Sequence, residues 1–254
     1  MTDLFDVSGR IVLITGSSRG LGFAFAQGFA EAGSKVILNG TRPETVEPVV
    51  HEIRRAGGFA HGYPFDVTQS TQVAHAVARI EQEVGPIDVL INNAGIHRRA
   101  PLEELTDEEW QDVIDVNLTG VFTVARRVAQ GMIERRHGVI INVSSLNAQG
   151  ARPTIGNYCA AKGGLEALTR SMATEWGRYN IRANAIAPGY FVTDLTRPLL
   201  QDSEFDAWVK ANVPLGRWGD PSELVGTAIF LSSSAASYIT GRVISIDGGW
   251  RASL

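Results

Sequence analysis

Tyr158 and Lys162 lie four residues apart in a helix-forming stretch, a spacing that places phenol and ammonium on one helix face. A tyrosine titrates at about pKa 10, and a cation within a few ångströms favours the phenolate and brings it towards the range useful to a general base. Upstream, the apolar run Val139-Ile140-Ile141-Asn142-Val143 ends at Ser144-Ser145, and a Ser145 hydroxyl can hydrogen-bond the oxygen on which the tyrosine acts. The chain has five Tyr and only three Lys (Lys35, Lys162, Lys210), so the pairing is not expected by chance. The chemistry implied is proton transfer at a substrate hydroxyl or carbonyl.

A second group of residues points to a phosphorylated cofactor. Thr15-Gly16-Ser17-Ser18-Arg19-Gly20-Leu21-Gly22 directly follows one β-branched run and opens a helix-period stretch. Glycines there let the backbone turn tightly and approach a pyrophosphate, which free N–H groups and the dipole of a helix N-terminus stabilise. The next strand run ends at Asn39, where a site for NAD usually offers a carboxylate to the ribose hydroxyls. With no carboxylate there, Arg19, Thr41 and Arg42 are placed to meet a 2′-phosphate, which favours NADP over NAD. Asp66, followed by Val67, ends the third run and can accept from an adenine amino group or cap the next turn. Asn92-Asn93-Ala94-Gly95 and Pro188-Gly189-Tyr190-Phe191-Val192-Thr193 close two further strands, where backbone passes close to a nucleotide.

These residues need a frame, and the order of elements supplies one. Strands are expected over 11–15, 35–39, 60–66, 89–92, 139–143, 183–187 and 243–246. Helices between them run from Gly20, Pro43 and Ser70 and stop at Gly33, Gly57 and Gly85. Thr106-Asp107-Glu108-Glu109 is a capping box that opens a long helix towards Arg135. Apolar strands joined by helical crossovers give an α/β fold, a Rossmann-type doubly wound parallel sheet of seven strands with helices on both faces. We expect one domain over residues 1–254, with 190–212 as a helical lid over the site.

Composition limits the function. The chain of 254 residues carries a formal net charge of −4 and no basic cluster, which argues against nucleic acid as a partner. Cys159 is the sole cysteine, so no internal disulfide or cysteine-based metal site can form, and packing is its expected role. No basic start followed by an apolar stretch, and no apolar run of about 18 residues, points to a leader or a membrane span. A cytoplasmic protein is expected.

The whole chain resembles the short-chain dehydrogenase/reductase family. Thr-Gly-x-x-x-Gly-x-Gly at 15–22, Asn-Asn-Ala-Gly at 92–95, Asn117, Ser145, Tyr-x-x-x-Lys at 158–162, Pro-Gly at 188–189 and Asp-Gly-Gly at 247–249 appear in that family's order. The resemblance implies that Tyr158 is the acid/base, that Lys162 lowers its pKa and holds the nicotinamide ribose, that Ser145 positions the substrate oxygen, and that Asn117 supports a proton path through water. Phe191 and Thr193 would meet the nicotinamide amide and the phosphates. It also implies a homotetramer.

Within the family the chain is similar to gluconate 5-dehydrogenases in Asp3-Leu4-Phe5, 85–90, Asn92 to Ile96 with Arg98-Arg99, 187–191 and 217–221. It departs from them at Ala148-Gln149, where Ser-Glu is usual, while Arg152 is retained. The expected reaction is NADP-dependent interconversion of a secondary alcohol and a ketone on a sugar acid, with Arg98, Arg99 or Arg152 on the carboxylate. The alternatives are a 3-oxoacyl-thioester or other ketone reductase, and a dinucleotide-binding protein without turnover. His97 has no partner in the sequence and reads as a surface residue.

Overall fold

The computed structural model describes residues 4–194 and 196–253; Asp3 of the gluconate-type signature and Leu195 of the expected lid lie outside them. Seven parallel strands form one sheet: β1 (Ile11–Ile14), β2 (Lys35–Leu38), β3 (Phe59–Gly62), β4 (Val89–Asn92), β5 (Gly138–Val143), β6 (Ile181–Pro188) and β7 (Val243–Ile246). Their order is β3-β2-β1-β4-β5-β6-β7. The direction of winding reverses between β1 and β4, which opens a crevice at the carboxyl ends of those strands.

Alternation along the strands builds two cores. Val12 and Ile14 of β1 join Val36, Leu38, Val89 and Ile91 on one face, covered by α1 (Gly20–Glu31), α2 (Pro43–Arg55) and α9 (Val225–Ser232). Ile11 and Leu13 point the other way, to Ile37, Leu90 and Ile140, under α3 (Ser70–Glu83), α5 (Gly120–Arg135) and α6 (Gly156–Trp176). Strands apolar on both sides cannot face water, so both layers of helices are required. The helices α1, α2 and α3 end within a residue or two of Gly33, Gly57 and Gly85, whose φ values of 82°, 88° and 131° are conformations open chiefly to glycine.

The structure corrects two expectations. β3 runs from Phe59 to Gly62 rather than over 60–66, although beyond it the Tyr63 and Phe65 N–H groups still donate to the Leu38 and Gly40 carbonyls on either side of Pro64. The capping box of Thr106 and Glu109 forms, but the long helix is interrupted: α4 (Asp107–Ile114) and α5 are joined by a π turn at Asp115–Thr119. The segment 190–212 holds two short helices, α7 (Arg197–Gln201) and α8 (Ser203–Asn212), the second capped by Asp202. They carry a third apolar cluster in which Tyr190, Val209, Val213 and Trp218 are buried with Leu146, and Phe205 and Trp250 flank it.

Candidate active site

A cleft of about 670 Å³ follows the crevice and continues under α7. Its first half is built from backbone. Gly16 and Gly20 have φ of 62° and 57°, and a Cβ on Gly16 would sit 2.8 Å from Ala94 Cα. A Cβ on Gly22 would collide with the Gly16 carbonyl and the Asn93 amide, so Gly22 supports the loop from beneath and is absent from the cleft wall. The first turn of α1 has neither a side-chain cap nor an acidic residue, leaving its N–H groups to an anion. Asn93 fastens the loop: its Nδ2 donates to the carbonyls of Thr15 (3.0 Å) and Gly16 (2.9 Å), while Thr15 Oγ1 accepts from Asn93 and Ala94 N–H. Ser18, Arg19, Gly20, Leu21, Thr41, Asp66, Val67, Gly95, Pro188, Gly189, Phe191 and Thr193 also reach the cleft wall.

Asn39, Arg42 and Asp66 have the following surroundings. Asn39 is 2% exposed; its Oδ1 accepts from Gly16 N–H, and its Nδ2 faces the carbonyls of Gly40, Tyr63 and Phe65 at 3.0 to 3.3 Å. Its side chain ties β1, β2 and the segment after β3 together, and both Asn39 and the next residue, Gly40, line the cleft, Gly40 beside Ser18 and Thr45. Arg42 is exposed and contributes nothing to the wall. Asp66 takes its capping role, with Oδ1 accepting from Thr68 N–H and Oγ1.

The second half is built from side chains. β5 ends at buried Ser144 and Ser145, and α6 brings Tyr158 and Lys162 up beside them. Lys162 Nζ donates to the Val143 carbonyl at 2.7 Å and lies 5.6 Å from the Tyr158 ring centroid. Burial pushes the Tyr158 phenol up to about 12, against the opposing pull of a Ser145 hydrogen bond and the Arg99 charge. Burial alone brings Lys162 down to about 8. Loss of water disfavours the charged form of each group. Asn117 lies in the π turn, off the cleft wall, with Oδ1 accepting from Ile96 N–H (2.8 Å) and Nδ2 donating to the Ile96 carbonyl (2.9 Å). Its side chain positions the segment after β4.

That segment, residues 96–100, is fixed at several points. Besides Asn117 on Ile96, Asn157 Nδ2 donates to the Arg98 carbonyl and Ala100 N–H to Thr154. Arg98 turns to Asp112, pairing at 3.1 Å, while among the described residues Arg99 enters no ion pair. Burial lowers the Arg99 pKa first and the Arg152 charge next. Arg152 also has no carboxylate partner; it donates to Tyr190 Oη at 3.1 Å and lies 4.5 Å from the Phe205 ring centroid and 5.3 Å from that of Trp208. His97 overturns its surface reading: the imidazole is stacked 3.9 Å from the Tyr158 ring, and burial, with Arg99 and Lys162, lowers its pKa to about 4. Gln149 points away from the cleft, donating at 2.7 Å to Glu166, which also accepts from Ser144 Oγ. It is therefore no substitute for a substrate-facing glutamate.

A cradle that a Cβ would fill, an uncapped helix N-terminus and a Ser-Tyr-Lys group at one end of a single cleft fit a dinucleotide and a small substrate. A family model described as enoyl-(acyl carrier protein) reductase matches residues 16–251. The chain is a short-chain dehydrogenase/reductase. It is 45% identical to 5-keto-D-gluconate 5-reductase of Escherichia coli, over 98% of both chains. With gluconate 5-dehydrogenase of Gluconobacter oxydans the identity is 46%, over 99% of this chain and 98% of the other. The crystal structure of a gluconate 5-dehydrogenase from Burkholderia cenocepacia, in complex with NADP and tartrate, superposes with a TM-score of 0.97 at 45% identity, covering 99% of each chain.

Proposed function

We propose that this short-chain dehydrogenase/reductase interconverts a secondary alcohol and a ketone on a sugar acid, with gluconate and 5-ketogluconate as the pair and NADP as cofactor. The gluconate-type relatives support the reaction, and the observation that carries the acid is the Arg99 and Arg152 pair. Two guanidiniums share one end of the cleft with Tyr158 and Ser145, close enough to perturb one another, and neither has a carboxylate partner in the described protein. A substrate carboxylate supplies the missing charge and accepts the forked N–H groups.

NADP, when bound, gives or takes the hydride. Ser145 holds the substrate oxygen, and Tyr158 moves the proton at that oxygen, donating it for reduction and accepting it for oxidation. Lys162, anchored on the Val143 carbonyl and 5.6 Å from the Tyr158 ring centroid, would hold the nicotinamide ribose. Thr41, Ser18 and Arg19 form the 2′-phosphate end, and Asn117 keeps Ile96 to Arg99 in place. Residues 1–254 are read as one domain, 190–212 as its lid, and the enzyme as a cytoplasmic homotetramer; the tetramer rests on the family resemblance.

The test is NADPH oxidation with 5-ketogluconate, uncharged keto-sugars and acetoacetyl thioesters. Arg99→Ala is expected to lower kcat/KM for the acid by about ten- to a hundredfold, the worth of a charge-assisted pair, and to leave uncharged sugars nearly unchanged. Arg98→Ala should spare both. A preference for thioesters, or an equal response of acid and neutral sugar to Arg99→Ala, would remove the sugar-acid assignment.

A further inference from the structure

The machinery above uses Ser145, Tyr158, Lys162 and the two arginines, yet the ring stacked on the candidate acid/base belongs to none of these. We propose that His97 is a specificity-determining residue whose imidazole hydrogen-bonds a substrate hydroxyl next to the reacting carbon, an inference that rests on the sugar-acid reading and narrows it to polyhydroxy acids.

Four observations converge on this role. The imidazole is stacked on the Tyr158 ring at 3.9 Å and 24°, so whatever oxygen the phenol engages lies within reach of the histidine's edge. It forms part of the cleft wall together with Arg99 and Ser145. Neither ring nitrogen has a protein hydrogen bond among the described residues, and Nδ1 is buried in that state. A buried polar atom without a partner costs free energy that a ligand group recovers on arrival. Finally, the backbone around it is pinned at Ile96, Arg98 and Ala100, so the ring is held ready for a ligand instead of collapsing onto a neighbour.

The geometry sorts the substrate's functional groups. Arg99, two residues along on the same side of the strap, faces the carboxylate, while Tyr158 and Ser145 face the reacting oxygen. The imidazole lies against the phenol, where a neighbouring hydroxyl of a sugar acid arrives and an acyl chain brings only CH₂. Kept neutral by Arg99, Lys162 and its burial, the ring offers one donor and one acceptor to that hydroxyl. A site built to bond a hydroxyl discriminates against analogues that lack it, because its own polar group is then left unpaired.

The experiment is calorimetric titration of the NADP-loaded enzyme with tartrate and with succinate, which share two carboxylates and differ in their hydroxyls. Wild type is expected to bind tartrate about tenfold more tightly. His97→Phe keeps the stack on Tyr158 and should bring the ratio close to one without changing NADP affinity; His97→Ala is read in the same way. His97→Gln restores a donor and an acceptor and should recover most of the preference. Retention of the tartrate preference in His97→Phe and His97→Ala, or a wild type that binds the two acids equally or binds neither, overturns the proposal. Failure of the gluconate reading shows separately, as absent turnover of 5-ketogluconate alongside an intact, His97-dependent tartrate preference.

Discussion

The two halves of the cleft are made of different material. Around α1 the wall is backbone: positive-φ glycines, bare N–H groups, and asparagines such as Asn39 and Asn93 that face inward to hold loops in place. Around α6 the wall is side chains drawn from β5, the strap after β4, and the lid, all converging on Tyr158. The first half binds a group whose shape is constant, so fixed backbone suffices. The second must match a particular substrate, which side chains can do without altering the sheet.

If that division is right, the largest effects belong to the side-chain half when activity is measured. Tyr158→Phe should keep the fold and lower the rate by on the order of 10² to 10⁴, because the proton at the substrate oxygen loses its carrier. Steady-state rates together with a melting curve check this; near-normal turnover in a folded variant would break the comparison at its centre.

The backbone half should respond in stability instead. Asn39→Asp places a carboxylate against the carbonyls of Gly40, Tyr63 and Phe65 and is expected to destabilise the fold by about 3 kcal/mol, measured by denaturant titration. Gly40→Asp is the substitution that should shift cofactor preference from NADP towards NAD, read as the ratio of kcat/KM for the two. A Cβ there has 3.6 Å to Ser18 Oγ and 3.0 Å to Val46 Cγ2, so the cost in stability is smaller. A cofactor switch in a stable Asn39→Asp protein would show that Asn39 faces the nucleotide after all.

The smallest expected effect is on acid stability. His97 has its pKa depressed from 6.5 to about 4 in the folded chain. The folded state therefore binds fewer protons than the unfolded one between those values, and stability from this group is in full above about pH 6.5 and is lost as pH falls through about 4. His97→Phe should flatten that part of the stability profile, and an imidazole NMR titration should give the low value directly. A midpoint near 6.5 would mean that the ring is not buried against Tyr158.

The same division explains what was legible in the sequence. Glycine spacing, helix stops at Gly33, Gly57 and Gly85, and the capping box at Thr106 act over a few residues, so the seven strands and the loop before α1 could be read directly. Side-chain direction could not. Asn39 lies at the cleft as its position along the chain implies, but its amide turns to carbonyls 24 and 26 residues away, and the Gln149 amide to Glu166, 17 residues away, contacts with no local signature. The π turn at Asp115–Thr119 is equally silent, since one extra residue in a helix is accommodated by geometry and not by composition. His97 was missed because a lone histidine gains meaning only once the tyrosine beneath it is in place.

The placement of β1 also bears on how the molecule is made. β1 is bonded to β2 on one side and to β4 on the other, and β5, β6 and β7 add in sequence beyond β4. A chain emerging from the ribosome can pair β1 with β2 and β3 as soon as residue 62 is out, yet the other side of β1 stays uncovered until residues 89–92 arrive. The glycine loop is fastened by Asn93, so the anion cradle matures with that same event. Everything that discriminates among substrates is synthesised later, and parallel pairing over such separations is slow. During synthesis, then, a nucleotide can stabilise the growing chain before any chemistry is possible.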